Sequence, residues 1–469
     1  TVIKQKQDFY QLPVVHQGDA NFRIKTKNGM IKYYGYLSTN KVGYKNPDID
    51  SAGMKNVFSL ENLNTYQNIN WREQIGRGWK LTAGFSYSTN KDNISNELQD
   101  AADQKQIITT PIFYAFKNFD LETHAHYVQG RAVLEKRLKG LSAVRFGGDY
   151  FYSDERSSYT LFDGTKFNET VIDNLAAGFA EADIYITNDI AAKAGTRLEY
   201  SKLMNRWNIA PRFSLAYKFP DNSQASFAYG LFYQNPERKY LPVSSKLDYA
   251  RAAHYILQYQ KISGQRTFRA EVFYKKYSSL FKTAVDNATG RELAANNNGY
   301  GHAKGIEFFW RDKKTIKDVD YWFSYSWLDT KREFLNYPTA IQPPFAANHT
   351  ASFVFKRFVM KWKTQFNLSY NFASGRPYYR IAYDNGLSKY QITDQGKTIN
   401  YNSMSFSVNY LPNIGKKNPK TFAVWVLGIN NVLGQNQVFS YDYSNDGTRK
   451  APVTPTSKRF VFIGCFLSF

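Results

Sequence analysis

The sequence predicts an all-β fold, a transmembrane antiparallel β-barrel, from three observations. Apolar and polar side chains alternate strictly in segment after segment, the apolar rows carry aromatic residues towards their ends, and the connections alternate between short and long.

Alternation is clearest in residues 361–372 (KWKTQFNLSYNF). Trp362, Phe366, Leu368, Tyr370 and Phe372 share one face with Thr364, and Lys361, Lys363, Gln365, Asn367, Ser369 and Asn371 share the other. Residues 79–88 (WKLTAGFSYS) oppose Trp79, Leu81, Ala83, Phe85 and Tyr87 to small or polar neighbours, and residues 224–233 (QASFAYGLFY) repeat the pattern. A period of two belongs to a strand whose faces meet different surroundings.

Aromatics form 17% of the chain while the mean hydropathy is negative, so large rings are needed without any continuous apolar block. No uncharged apolar run reaches the roughly 18 residues of a membrane helix, so a membrane would be crossed by strands. Trp79 to Tyr87 covers about 26 Å of strand, or about 20 Å when tilted by roughly 40°, close to the ~25 Å apolar band of such barrels. On this scheme Phe366 and Ala83 sit near mid-membrane and Gln365 faces the lumen.

About 19 strands result, centred from residue 23 to residue 464. Short connections fall at 27–29, 76–78, 139–142, 220–223 and 263–265, and long ones at 91–119, 153–170, 281–298, 330–345, 373–399 and 435–457. Short turns mark the periplasmic side. The first and last strands then both descend, which puts Phe469 at the periplasmic rim.

A formal charge of +22 would suggest nucleic acid in a soluble protein, but the basic residues are dispersed through strands and turns without a recognition helix, so no nucleic-acid partner is expected. Cys465 is the only cysteine, which excludes a disulfide framework and multi-cysteine metal centres. The opening residues 1–10 (TVIKQKQDFY) lack the apolar stretch of a signal peptide, so any such peptide is expected to have been removed. There is no Gly-x-Ser-x-Gly, phosphate loop or dinucleotide fingerprint, and no enzyme or cofactor is expected.

Residues 459–469 (RFVFIGCFLSF) place Val461, Ile463, Cys465, Leu467 and Phe469 on one face and end on an aromatic, which resembles the C-terminal insertion signal of outer-membrane barrels. Six further stretches, 195–200 (GTRLEY), 301–312 (GHAKGIEFFWRD), 320–332 (DYWFSYSWLDTKR), 345–350 (FAANHT), 373–379 (ASGRPYY) and 428–434 (GINNVLG), resemble TonB-dependent receptors of Bacteroidetes-like bacteria, in the family's usual order. The resemblance implies a bacterial outer-membrane location and a barrel of about 22 strands. About 19 visible strands would match strands four to 22, so residues 1–469 read as a partial barrel, with the plug domain, the TonB-binding box and the first strands upstream.

On the faces opposite the aromatic rows lie Lys193, Arg197, Glu199, Arg212, Arg269, Glu271, Glu307 and Arg311, expected to line the lumen. They would guide an anionic or chelated solute, or hold a plug, or form a solvated ion-pair network that only keeps the lumen wet. Arg376, Tyr378 and Tyr379, beside a long loop, suit ligand contact through a guanidinium and two rings, the rival being a structural turn at the upper aromatic girdle. His124 and His126 share a strand face, but with only Asp120 and Glu122 nearby a solvated pair is preferred and no metal site is expected.

The expected function is a receptor and transporter whose extracellular loops capture a scarce solute, a metal chelate or a glycan, and which imports it in a TonB-dependent way. Its partners would be outer-membrane lipid, the TonB complex through the N-terminal region, and the solute. The alternatives are a passive outer-membrane porin or channel, and a structural or adhesive barrel.

Overall fold

The computed structural model describes residues 8–237, 240, 247–285, 292–384, 386–416 and 421–468. Phe469, whose rim position was expected from the sequence, lies outside the described residues. The chain is a meander. It begins with β1 (Asp8–Lys25), β2 (Gly29–Pro47), β3 (Lys55–Gly76), β4 (Trp79–Gln99), β5 (Phe119–Arg137), β6 (Ala143–Leu161), β7 (Lys166–Tyr185) and β8 (Ile190–Ser201). It continues with β9 (Arg206–Lys218), β10 (Ser223–Gln234), β11 (Ala250–Ser263), β12 (Arg266–Val285), β13 (Glu292–Asp312), β14 (Val319–Glu333), β15 (His349–Val359) and β16 (Thr364–Ala373). A separate hairpin, β17 (Pro377–Asp384) and β18 (Lys389–Lys397), precedes β19 (Tyr401–Tyr410) and β20 (Phe422–Asn430). A second, β21 (Ser440–Tyr443) and β22 (Lys450–Val453), precedes β23 (Phe460–Ser468).

Apart from the two hairpins, the strands form one 19-stranded sheet, and every expected strand centre falls within one of them. Neighbours are antiparallel throughout, so each backbone ladder is made with the strand next in the meander. Connections at one end are short, as at 26–28 and 264–265, and those at the other include 100–118, 334–348 and 431–459.

Three details depart from the sequence reading. Residues 360–362 form a 3-10 turn and Lys363 is left-handed with φ of 53°, so the alternation over 361–363 belongs to a turn and the strand starts at Thr364. Phe366 is therefore two residues above a short turn rather than near mid-membrane. Segments expected as long loops at 153–170 and 281–298 are largely strand: β6 and β7 stay paired to Thr160 and Lys166, and β12 and β13 to Val285 and Glu292. Beyond the apolar band a strand keeps its hydrogen bonds but loses the apolar face that reveals it.

The outward face is clearest on β9, where Trp207, Ile209, Phe213, Leu215 and Tyr217 are all exposed, Trp207 by 64%. Ten residue steps at ~3.3 Å, tilted by ~40°, span about 25 Å, the height of the apolar band. Above the short turns a ribbon of rings runs from Tyr217 to Phe219, Tyr259, Phe268 and Trp310, with successive centroids 4.8, 6.3, 6.2 and 6.5 Å apart. Higher up, at the far end of the β9 row, Trp207 packs against Tyr200 of β8 with ring centroids 4.8 Å apart. These are the two aromatic girdles of a membrane barrel.

Among the described residues β1 pairs with β2 alone and β23 with β20 alone. The sheet nevertheless curls so that its ends meet through loops. Asn445 and Arg449, in the connection that holds β21 and β22, hydrogen-bond residues 49 and 50 between β2 and β3.

Candidate functional site: the lumen wall and the mouth

Alternation sends one residue in two to the inner face of the curved sheet, and there β4 to β8 carry a chain of ion pairs. Lys80 meets Glu135 at 2.7 Å, Arg145 links Glu135 at 2.7 Å with Glu181 at 3.1 Å and with Asp183, and Lys193 joins Glu181 at 3.2 Å. Arg197 is held by Asp149 and by Glu199 at 3.0 Å. Beside this network is a cavity of about 730 Å³ whose walls include Lys193, Arg197, Arg212, Phe179 and Phe232. Arg131 lies over the Phe179 ring at 5.3 Å and Arg212 over Phe232 at 4.9 Å. The inner wall thus mixes cations with aromatic faces, each desolvating the other.

Farther round, Arg311 is clamped by both Asp320 oxygens at 2.8 and 2.6 Å and lies 5.3 Å from the Trp322 ring. Arg269 lies over Phe309 at 5.9 Å. Glu271 and Glu307 face each other in register on β12 and β13. A cavity of about 400 Å³ is lined by Arg269, Glu307, Phe309, Asn371, Arg376 and Tyr401.

Arg376 reaches that cavity from the connection after β16. The bend is tight: a Cβ on Gly375 would lie 2.0 Å from the Thr398 carbonyl oxygen, so glycine is required by the close approach. The Arg376 backbone amide donates to Thr398 Oγ1 at 3.0 Å and its carbonyl accepts from the Thr398 amide at 2.9 Å. The guanidinium has no ion-pair partner among the described residues.

Tyr378 and Tyr379 go elsewhere. The Lys450 ammonium lies 4.0 Å from the Tyr378 ring and 4.7 Å from that of Tyr441, donates to the Tyr378 hydroxyl at 2.8 Å, and meets Asp394 at 3.1 Å. Tyr443 donates to the same Asp394 carboxylate at 2.6 Å. That bond first, and Lys450 second, hold Asp394 below the ordinary carboxylate range. Burial, followed by the bond to Asp394, pushes the Tyr443 phenol up to about 12. Burial alone would lower the Lys450 ammonium, but its bonds to Tyr378, Asp394 and Tyr443 outweigh that and raise it. Tyr379 packs on the buried Tyr337 with ring centroids 6.2 Å apart. The two histidines also part company, His126 bonding Tyr87 at 3.0 Å and His124 bonding Glu122 at 3.0 Å, and no group of metal-ligating side chains is found among the described residues.

With this geometry in hand, comparison with known families finds a match over residues 13–432 to the family described as "TonB dependent receptor-like, beta-barrel". The chain belongs to that family. Solved structures share the fold at low identity. The outer-membrane transporter YddB from Escherichia coli is 12% identical, with a TM-score of 0.68 over 97% of this chain and 75% of that one. The copper transporter OprC is 11% identical, with a TM-score of 0.66 over 100% and 81%. The pyoverdine receptor FpvA from Pseudomonas aeruginosa PAO1, bound to pyoverdine, is 10% identical, with a TM-score of 0.65 over 98% and 77%. Among curated proteins no sequence matches. The family places this TonB-dependent receptor barrel in the outer membrane, among receptors and transporters rather than enzymes.

Within the receptor barrel, the structure brings Arg376, Arg269 and Glu307 to one cavity and Lys193, Arg197 and Arg212 to another. Tyr378 is drawn into the Lys450 cluster instead. Lys450, Asp394, Tyr441 and Tyr443 escaped sequence reasoning, because they meet only when two irregular connections pack together. The one available signal was their density of tyrosine and charge.

Proposed function

We propose that this barrel is the outer-membrane part of a receptor that captures a scarce anionic solute, of the metal-chelate class, and imports it with energy from a TonB complex. The observation that carries this reading is Arg376: a guanidinium beneath the extracellular connections, open to a cavity it shares with Arg269. Such a group recognises carboxylate or phosphate oxygens in a forked geometry. The solved structures of a copper transporter and of a pyoverdine receptor support the choice of solute class by analogy of fold alone. In the full-length protein, a plug domain would occupy the lumen and further N-terminal strands would lie between β1 and β23. The single pairing partner of each edge strand supports this, since unpaired backbone groups in hydrocarbon cost several kcal/mol each.

The test expresses the full-length gene in a bacterial host stripped of its own receptors and supplies iron or copper chelates as the only source of metal. Growth is expected with TonB and absent without it, and Arg376→Ala is expected to weaken chelate capture about tenfold or more. Uptake that persists without TonB would favour a passive channel. Capture indifferent to Arg376→Ala would overturn the anionic solute.

A further inference from the structure

The short-turn rim is not uniform. Three successive turns, 313–318, 360–363 and 411–415, are joined into one ridge. The Phe358 amide donates to the Asp318 carbonyl at 3.2 Å, the Leu411 amide donates to the Lys363 carbonyl at 2.8 Å, and Lys363 Nζ donates to the Pro412 carbonyl at 3.1 Å. Met360 and Trp362 project from this ridge at 67% and 60% exposure, with Ile316 at 47%.

Around these apolar tips lie Lys314, Lys317, Arg357 and Lys361, all exposed and none with an ion-pair partner among the described residues. The nearby acids are engaged: Asp312 holds Arg266 at 2.9 Å and Asp320 holds Arg311 at 2.6 Å, which leaves Asp318. Arg357 points outward. It sits in register with Val319 and Phe366, one outward row nearer the turn than Tyr321, Phe355 and Leu368. Its guanidinium is therefore at the lower edge of the apolar band, where a long side chain can keep its stem in hydrocarbon and its charge in the headgroup layer. Exposed Trp and Met beside unpaired cations would be a poor surface in open water and fit an interface with an apolar and an anionic side.

We propose that this ridge binds anionic phospholipid headgroups of the periplasmic leaflet, with Met360 and Trp362 entering the acyl boundary while Arg357, Lys361, Lys314 and Lys317 take the phosphates. The charge complementarity is with a fixed layer of phosphodiesters, which the barrel meets at this height all round its circumference. The ridge gathers four such cations into one sector.

The experiment places the full-length protein in vesicles of equal parts phosphatidylcholine and phosphatidylglycerol, with a photoreactive trace of one lipid or the other, and maps the crosslinks. Residues 313–318 and 357–363 are expected to take the phosphatidylglycerol label with a roughly fivefold preference. The turn at 186–189, which exposes Ile186 beside Asp189 and carries no cation, should show no such preference, and excess inorganic phosphate should not compete. Replacing Lys314, Lys317, Arg357 and Lys361 by Gln abolishes the preference, and the charge-keeping pair Arg357→Lys and Lys361→Arg retains it. Folding of each variant is read from its unheated gel mobility, and if the Gln variant does not fold, the two-lipid comparison on the wild type still decides. Equal labelling by both lipids overturns the proposal. So does a ridge that labels with neither lipid and crosslinks instead to an acidic periplasmic protein.

Discussion

The backbone amide of Asn445 donates to the Asp50 carboxylate at 2.6 Å, joining residues 395 positions apart. Arg380 on β17 donates to the Asn445 carbonyl at 2.8 Å, so both extracellular hairpins are fastened to the short segment between β2 and β3. That segment is itself held by Lys117, whose ammonium lies between Asp48 and Asp50, 2.7 Å from the latter. The Asp48 side chain is fully buried.

Removing Lys117 leaves the Asp48 charge buried without its cation. Lys117→Met should destabilise the segment 48–54 locally by about 3–5 kcal/mol. Hydrogen exchange should show lost protection there and in β21–β22, with none lost at β10. Adding Asp48→Asn should restore part of the protection. Unchanged exchange in the single variant would show that the fastening does not depend on this pair.

The pH response of the hairpins follows from Asp394 and Lys450. Asp394 is held below its ordinary value, so its stabilising contribution is whole above the unfolded carboxylate pKa of ~3.9 and disappears as pH falls through the lower folded value. Lys450 is raised, so its contribution is whole below ~10.4 and is lost as pH climbs through the higher folded value. Exchange protection of β17–β18, corrected for intrinsic rates, should be flat between about pH 5 and 9. Asp394→Asn should remove the loss at the acid end. A transition near pH 6 or 7 would contradict this assignment.

Arginine substitutions test the faces and the depth. Phe213, midway between Trp207 and Tyr217, should cost about 2–4 kcal/mol as Phe213→Arg. Phe366→Arg, close above a turn, should cost about 0–1 kcal/mol, and Gln365→Arg on the lumen face should be nearly silent. Denaturant unfolding of the lipid-embedded barrel reads all three, and equal costs would refute the division of faces.

The seam between the edge strands can be tested with the native thiol of Cys465, which is exposed on β23. Three intervening strands would separate it from Ile24 on β1 by about 19 Å, against the ~7 Å Cα limit for a disulfide. Ile24→Cys in the full-length protein should therefore give no disulfide with Cys465 under oxidation. Ready formation of that bond would place β1 and β23 side by side.

The strands were legible because two-residue alternation is local and a membrane on one side makes it extreme. The same rule misread residues 361–363, where a turn happens to continue the pattern, and it stopped too early on β6, β7, β12 and β13, which run on beyond the apolar band. The site was legible in part. Arg376 follows a small-residue bend that sequence can flag, whereas the pairing of Tyr378 with Lys450, 72 residues later, depends on how two connections pack, and no periodicity encodes that.

The order of the strands also bears on how the barrel is made. Every ladder in the 19-stranded sheet joins strands that are consecutive in the meander, so each hairpin closes a loop of modest length at modest entropic cost. Growth of the sheet can then proceed pair by pair, with no step awaiting a remote segment. The contacts across the seam are the exception, since they must bring together segments nearly four hundred residues apart. Completion of the ring is thus the late event of biogenesis, and until it occurs both edges display open hydrogen-bonding positions on which an insertion machinery, or a wrong neighbour, can act.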